Sequence, residues 1–424
     1  MRRAGPSHCS PKLGCMTGNG AVSHDQPHTP TQGFGRAAQS AIYRAGMSGG
    51  RSAVPVHPDE LAAAAHAAMS PEATAYVTGS AGSERTAAAN RAEFANWQIW
   101  PRVLRDVSQR DLSIELFGAR RATPFVLAPL GVMEMLDPEA DVAVARAAAE
   151  LGVPYTLSNQ ASRPMEEVVA ATPEAPHWFQ LYWSSSDELN ASLMGRAEAS
   201  GCEAIVVTLD THLFGWRTRD LDLAYSPFSR GMGLAQYTSD PVFGQLVRDR
   251  VAAAGGSPDS MPAAVVETFQ AVFSTPTLTW ADLAKAREWT TLPIILKGIV
   301  HPDDAGTAID AGIDGVWVSN HGGRQIDQSV PTLAALPAIA ERVRGRVPII
   351  LDSGIRGGAD AAIALALGAT VVAIARPYAY GLALAGQAGV HEVVRNHIAE
   401  LEISMALAGH TSVGQLGPGS VRAV

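Results

Sequence analysis

The chain has 424 residues, 47% of them hydrophobic and 17% charged, with a net charge of −9. Such a composition supports a large buried core and excludes disorder as the main theme. The acidic balance, with no basic face, argues against nucleic acid as a partner. The three cysteines, Cys9, Cys15 and Cys202, give neither a disulfide framework nor a metal-ligand spacing, so a reducing, cytoplasmic setting without a bound metal is expected. No apolar signal core comes after Arg2 and Arg3. The most apolar long run, 361–375, is too short for a membrane span and is interrupted by Gly368.

Residues 1–31, rich in Gly, Pro, Ser, Thr and His without an apolar period, read as a disordered tail. Residues 32–123 read as a helical segment packing on the barrel predicted from 124 onward. Pro58-Asp59-Glu60 starts one helix, and Ser70-Pro71-Glu72 starts another with Ser as N-cap and Pro at the first helical position. From 124 the rhythm changes to short β-rich runs alternating with helical stretches: 125–128, 154–157, 178–181, 204–208, 293–296, 315–318, 348–351 and 371–374. Nearly all-apolar strands are buried on both faces, as in parallel sheets. Eight βα units predict an α/β fold, a single TIM barrel over 124–409, with a C-terminal tail at 410–424. The interval 212–290 is far longer than a usual βα loop and reads as an insertion after strand four that covers the site or an interface.

Polar residues gather at the C-terminal ends of these strands, where barrel enzymes build active sites. Strand one ends in Pro129-Leu130-Gly131 and strand two in Ser158-Asn159. Gln180 and Tyr182 follow strand three, Thr208 and Asp210 strand four, and Lys297-Gly298 strand five. Ser319, His321 and Arg324 follow strand six, Asp352-Ser353-Gly354-Ile355-Arg356 strand seven, and Ala375-Arg376 strand eight. The densest stretch is Ser319-Asn320-His321-Gly322-Gly323-Arg324-Gln325. It sets an imidazole three residues before a guanidinium on a tightly turning backbone, an arrangement suited to proton abstraction from an anionic substrate. A lone histidine in a glycine turn would more often be a satisfied core residue. The one-sided gathering of the other polar residues favours chemistry.

From Phe34 to Gly409 the chain resembles the FMN-dependent 2-hydroxy acid oxidising family, most specifically through the Ser319–Gln325 motif. Within the family it is most similar to the lactate 2-monooxygenase subgroup, in the stretches Tyr76–Glu84, Phe214–Leu221 and Tyr237–Pro241. The resemblance implies a TIM barrel, FMN as cofactor, a small 2-hydroxy acid and O2 as small-molecule partners, and a homo-oligomer, tetramer or octamer. It also implies roles. His321 is the active-site base and Asp210 the acid supporting its imidazolium; whether the α-hydrogen leaves as hydride or through a carbanion stays open. Arg217 and Arg324 clamp the substrate carboxylate, a task for the planar guanidinium fork. Tyr182 and Tyr43 hydrogen-bond the substrate, and Lys297 supplies positive charge at the flavin N1 edge. Gln180, Thr208, Ser158 and Ser319 face the ring, with Pro129, Leu130 and Gly131 against one of its faces. Asp352 binds the ribityl hydroxyls, and Gly354, Arg356, Ala375 and Arg376 take the phosphate.

Three departures accompany the resemblance. Ser353 replaces the first glycine of the usual Asp-Gly-Gly, with Gly357 where a second arginine is common. Ala375 precedes Arg376 where glycine is usual; because both substitutions keep their backbone N–H, FMN binding is expected to be weaker or shifted but not lost. Gly131 stands where many oxidases carry Ala, and the reading is that it leaves room to retain product. Retained pyruvate and peroxide would give acetate, CO2 and water; early release would make the protein an oxidase. A dehydrogenase serving another electron acceptor and an idle flavin-binding barrel are the remaining alternatives.

Overall fold

A computed structural model describes residues 33–273 and 275–424; the expected disordered tail at 1–31 lies outside the described residues. Eight parallel strands close into a barrel. They are β1 Phe125–Leu127, β2 Tyr155–Leu157, β3 His177–Tyr182, β4 Ala204–Thr208, β5 Ile294–Ile299, β6 Gly315–Val318, β7 Ile349–Leu351 and β8 Val371–Ile374. Neighbours keep chain order, and β8 closes on β1 with Val372 opposite Phe125. Each expected run is one of these strands, with small shifts at the ends.

The all-apolar strands have a simple cause. Along each strand alternate residues face opposite ways. One set, including Val126, Trp178, Val206, Ile295, Trp317, Ile350 and Ala373, fills the barrel interior. The other, including Leu127, Phe179, Val207, Leu296, Val318, Leu351 and Ile374, packs outward against the helices. Trp178 and Trp317 are fully buried, each contributing roughly 5 kcal/mol at ~25 cal/mol per Å2 over ~200 Å2 of apolar surface. A hairpin, Ile114–Leu116 and Ala119–Arg121, closes one end of the barrel. Its turn places Phe117 and Gly118 at φ 50° and 78°, the pair of positive values a tight hairpin demands. Phe117 then packs edge-on to Trp178, with ring centroids 5.7 Å apart.

The N-terminal segment contains helices Phe34–Met47, Pro58–Ala68, Pro71–Thr78 and Arg85–Ala92. Ser70 caps the third, its hydroxyl accepting from the Ala73 amide at 3.1 Å, with Pro71 at the first helical position. The segment then crosses the polar rim. The amides of Ala81 and Gly82 donate to the carbonyls of Gly323 and Trp216, both at 2.9 Å. Asp327 takes the amides of Ser83 and Arg85, both at 2.8 Å. These bonds hold its carboxyl down at about 2, led by the Ser83 hydroxyl.

The 212–290 insertion is largely helical, through Thr218–Asp222, Ala235–Thr238, Pro241–Ala253, Met261–Val272 and Leu283–Trp289. Its own aromatic cluster anchors it to the barrel: Phe214 stacks on Phe273 at 4.9 Å, and Phe273 meets Tyr182 edge-on at 5.2 Å. The C-terminal stretch is tied down as well, Val421–Ala423 pairing antiparallel with Trp97–Ile99. Cys202 is a free, buried thiol, its pKa pushed up to about 12 by burial. Among the described residues, no helix is long and apolar enough to cross a membrane, and no cluster of three or more His, Cys, Asp or Glu could hold a metal ion.

Candidate active site

Strand periodicity builds the site. Two residues beyond the interior-facing Trp178, Val206, Ile295, Trp317 and Ile350, on the same side of each strand, stand Gln180, Thr208, Lys297, Ser319 and Asp352. The apolar filling of the barrel is thereby topped by a polar ring. Above it lies a cavity holding about 1070 Å3 of space between atoms, mouth included. Of the residues expected in the site, Pro129, Leu130, Gly131, Ser158, Tyr182, Arg217, Lys297, His321, Arg324, Asp352, Gly354, Arg356, Ala375 and Arg376 all line it. Gln180, Thr208, Asp210 and Ser319 stand immediately behind this wall, on the ends of the same strands.

His321 Nδ1 lies 2.7 Å from Asp210 Oδ1 and 3.2 Å from the Thr211 hydroxyl. The carboxylate needs a donor, so Nδ1 carries the proton and Nε2 keeps its lone pair. Burial would raise the Asp210 pKa, but the His321 and Lys297 charges outweigh it and hold the acid at about 2. His321 is pushed below its ordinary value by burial, with Lys297 and Arg217 reinforcing and Asp210 opposing, so the imidazole is neutral at neutral pH. Lys297 Nζ donates to Ser319 Oγ at 3.0 Å and lies 3.6 Å from Asp352 and 3.9 Å from Asp210. Gly298, at φ 108°, is what lets Asp210 sit so close: a Cβ there would lie 2.9 Å from the Asp210 Cβ.

Arg324 is buried, donates to the Gly79 carbonyl at 2.7 Å and stacks over the Tyr76 ring at 5.1 Å. Burial, with Arg217 and Arg376 nearby, pushes its pKa down to about 9, so it stays cationic at neutral pH. Arg217 is fixed by Gln325 at 2.9 Å. Crowded like charges in a desolvated wall are relieved by a bound anion. Tyr182 is half-buried, and desolvation with the Asp210 charge keeps it a phenol.

Tyr43 is the correction. It sits on the Phe34–Met47 helix with 69% of its surface exposed and is not in the cavity wall. The tyrosine that the N-terminal segment brings to the wall is Tyr76, on Pro71–Thr78. A signal for it is present in the sequence, since Tyr76 opens one of the stretches that carry the family resemblance, whereas Tyr43 lies outside all of them. Thr211, Phe214, Phe228 and Phe273 also line the cavity; Phe214 opens the Phe214–Leu221 stretch of the resemblance, while nothing in the local sequence marks the other three.

Gly131 needs a second revision. A Cβ at that position would lie 2.6 Å from the Gln160 Cβ and 3.0 Å from its carbonyl. The glycine therefore lets two strand-end loops pack together, and the space beyond it is already filled by Gln160.

The polar ring fits a flavin. Gln180 Nε2 and Thr208 Oγ1 are buried without a hydrogen-bond partner among the described residues, and buried orphans of this kind call for a ligand. Gln180 Oε1 accepts from Ser158 Oγ and the Asn159 amide, both at 3.2 Å, which turns its amide nitrogen away from them. Arg356 and Arg376 are half-buried at the rim, and desolvation lowers the pKa of both. Arg376 reaches the carbonyls of Val77 and Gly322 at 3.0 and 3.1 Å, joining the N-terminal segment to the rim.

The chain matches, over residues 27–423, the family model described as FMN-dependent dehydrogenase. It is 46% identical to an L-lactate oxidase of Lysinibacillus sphaericus over 80% of this chain and 85% of that protein. It is 38% identical to an L-lactate dehydrogenase of Ectopseudomonas mendocina over 84% and 95%. Among solved structures, mandelate oxidase superposes with a TM-score of 0.76 at 34% identity, covering 88% of this chain and 99% of that one. A strand-end constellation of this kind on a closed eight-strand barrel, together with these relationships, places the chain in the FMN-dependent dehydrogenase family, as an FMN-using 2-hydroxy acid oxidoreductase.

Proposed function

We propose that the protein oxidises a small L-2-hydroxy acid, L-lactate foremost, and turns the product over as a lactate 2-monooxygenase. The observation that carries the oxidation is the His321–Asp210 pair at 2.7 Å in a wall shared with Arg217, Arg324 and Lys297. FMN, when bound, supplies the two-electron acceptor. Gln180, Thr208 and Ser158 would hold its ring edge, Lys297 would lie at the edge where negative charge develops, and Asp352, Arg356 and Arg376 would hold its tail.

Arg217 and Arg324 orient the substrate carboxylate, while the Tyr76 and Tyr182 hydroxyls take its oxygens. Nε2 of His321 receives a substrate proton, and the resulting imidazolium is held against Asp210. Phe214, Phe228 and Phe273 close over the apolar end of the substrate and exclude water. That aromatic cover supports retention of pyruvate with H2O2, which together give acetate, CO2 and water. Gly131 does not contribute to this reading. The 46% identity to an L-lactate oxidase favours the second reading, in which pyruvate and H2O2 leave separately.

The test is anaerobic mixing of the yellow holoprotein with L-lactate, with air admitted afterwards. Loss of the yellow absorbance and then acetate supports the monooxygenase; pyruvate with H2O2 supports the oxidase. Loss of colour that air does not restore points to a dehydrogenase. No loss of colour with any small L-2-hydroxy acid overturns the proposal.

A further inference from the structure

The peptide that carries His321 is in an unfavourable conformation. His321, Gly322 and Gly323 have successive φ values of 57°, 64° and 81°, a left-handed run that a side chain at the first position resists. Something must hold it. The His321 amide donates to Ser319 Oγ at 3.1 Å, and that hydroxyl is itself bonded by Lys297. The next amide, that of Gly322, donates to Ser353 Oγ at 3.0 Å, reaching across from β7. Ser353 in turn donates to Asp352 Oδ1 at 2.6 Å. The other oxygen of Asp352 accepts from the Trp317 indole at 3.1 Å, so the orientation of the serine hydroxyl is fixed from behind.

Ser353 is itself at φ 73°. Glycine adopts that conformation without penalty, whereas serine is strained there. The strain is tolerated at a position where the hydroxyl makes two bonds. The observed outlier and the bond it makes are two independent features of one residue, and both lead to the base.

We infer that Ser353 is a positioning residue for His321: its hydroxyl, braced on Asp352, clamps the Gly322 amide and so keeps the imidazole on Asp210. This inference rests on the proposed role of His321 as base. Without the Ser353 acceptor, the Gly322 peptide can rotate toward a relaxed conformation and carry the ring away from its carboxylate partner. Asp210, Lys297, Arg217 and Tyr182 are the charged and titratable groups that face His321. Of the charges among them, only Asp210 attracts a proton to the ring, so misplacement lowers the imidazole's affinity for protons.

Ser353→Gly and Ser353→Ala separate positioning from structure. Glycine removes the hydroxyl and relieves the strained φ; alanine removes the hydroxyl and keeps the strain. Ser353→Gly is expected to melt at or above the wild-type temperature and Ser353→Ala below it. Both are expected to reduce FMN with L-lactate on the order of tenfold to a hundredfold more slowly, the scale of an ångström-sized misplacement. The acid limb of the pH profile should move to lower pH in both. A second readout needs no turnover: in protein labelled with 15N-histidine, with His321→Gln used for assignment, the His321 resonance should titrate at lower pH in Ser353→Gly than in wild type. A Ser353→Gly protein with wild-type reduction rate and an unmoved His321 titration overturns the inference. If wild type itself fails to reduce FMN with any hydroxy acid, the proposed function falls. The histidine titration then still decides whether Ser353 positions the ring.

Discussion

Asp210→Asn is the sharpest perturbation of the proposed chemistry, because it removes one charge and leaves the shape nearly unchanged. In the resting state the imidazole is neutral and the pair is a hydrogen bond to an anion. At the transition state a proton arrives on Nε2 and a full ion pair forms over 2.7 Å. At an effective dielectric of ~20, Coulomb attraction over that distance is roughly 6 kcal/mol. Part of this is offset, because Lys297 at 3.9 Å already leans on the same acid. A hydrogen bond to a charged group sets a floor of about 2 kcal/mol. A net loss of ~2 to ~5 kcal/mol slows flavin reduction by about 30- to 5,000-fold, at ~1.36 kcal/mol per tenfold.

Stopped-flow absorbance under anaerobic conditions reads this directly, with FMN content measured on the same sample. The sign of the pH effect is a second check. Asp210 is the group that raises the His321 pKa against burial, so its loss lowers that pKa further. The base then stays unprotonated to lower pH, and the acid limb moves down. A fully flavinated Asp210→Asn protein reducing FMN within about threefold of wild type, the scale of a single weak interaction, would refute the pairing of acid and base.

Tyr76→Phe should slow reduction or raise KM by about tenfold, the worth of one neutral hydrogen bond, while Tyr43→Phe should match wild type in steady-state turnover; the reverse pattern would restore Tyr43 to the site. Gly131→Ala should lower stability by about 1–3 kcal/mol through overpacking on Gln160, read as a fall in Tm, whereas an unchanged Tm with a changed acetate-to-pyruvate ratio would return Gly131 to product handling. Asp141 is buried, and burial raises its pKa to about 6 against the Ser162 and Arg163 amides and the Tyr155 hydroxyl. A folded pKa above the unfolded 3.8 favours the folded state at low pH, an advantage lost as pH rises through about 6. The Tm advantage of wild type over Asp141→Asn should therefore be larger at acid than at neutral pH, and an equal gap at both would show that Asp141 is not perturbed.

Much of this was legible because the apolar strand runs are local signals and the βα units that carry them can be counted along the chain. Runs such as Ala204–Thr208 and Val371–Ile374 are apolar on both faces, which only a covered parallel strand requires. The polar residues at their ends come from the same count, and so Gln180, Thr208, Lys297, Ser319 and Asp352 could be named without coordinates. Tyr43 and Tyr76 show where this stops. Both are tyrosines on alanine-rich helices, and helical periodicity says which face is apolar but not what that face will meet. The role given to Gly131 failed for a related reason, because its neighbour Gln160 belongs to the next strand-end loop and only folding brings the two together.

By itself the sequence determined the eight strands and the end of the barrel where the polar residues gather, because each depends on spacing within one βα unit; the parts proposed for His321, Asp210, Lys297, Arg217 and Arg324 come from the family resemblance. Only the tertiary structure decided which tyrosine enters the site, how the 212–290 insertion supplies Phe214, Phe228 and Phe273, and what holds His321 in its left-handed turn. Those answers lie in contacts between segments far apart in the chain: Tyr76 with Arg324, Phe273 with Tyr182, and Ser353 with Gly322. Local patterns cannot encode such contacts, since a side chain's partner across the barrel mouth is set by the packing of the whole rim.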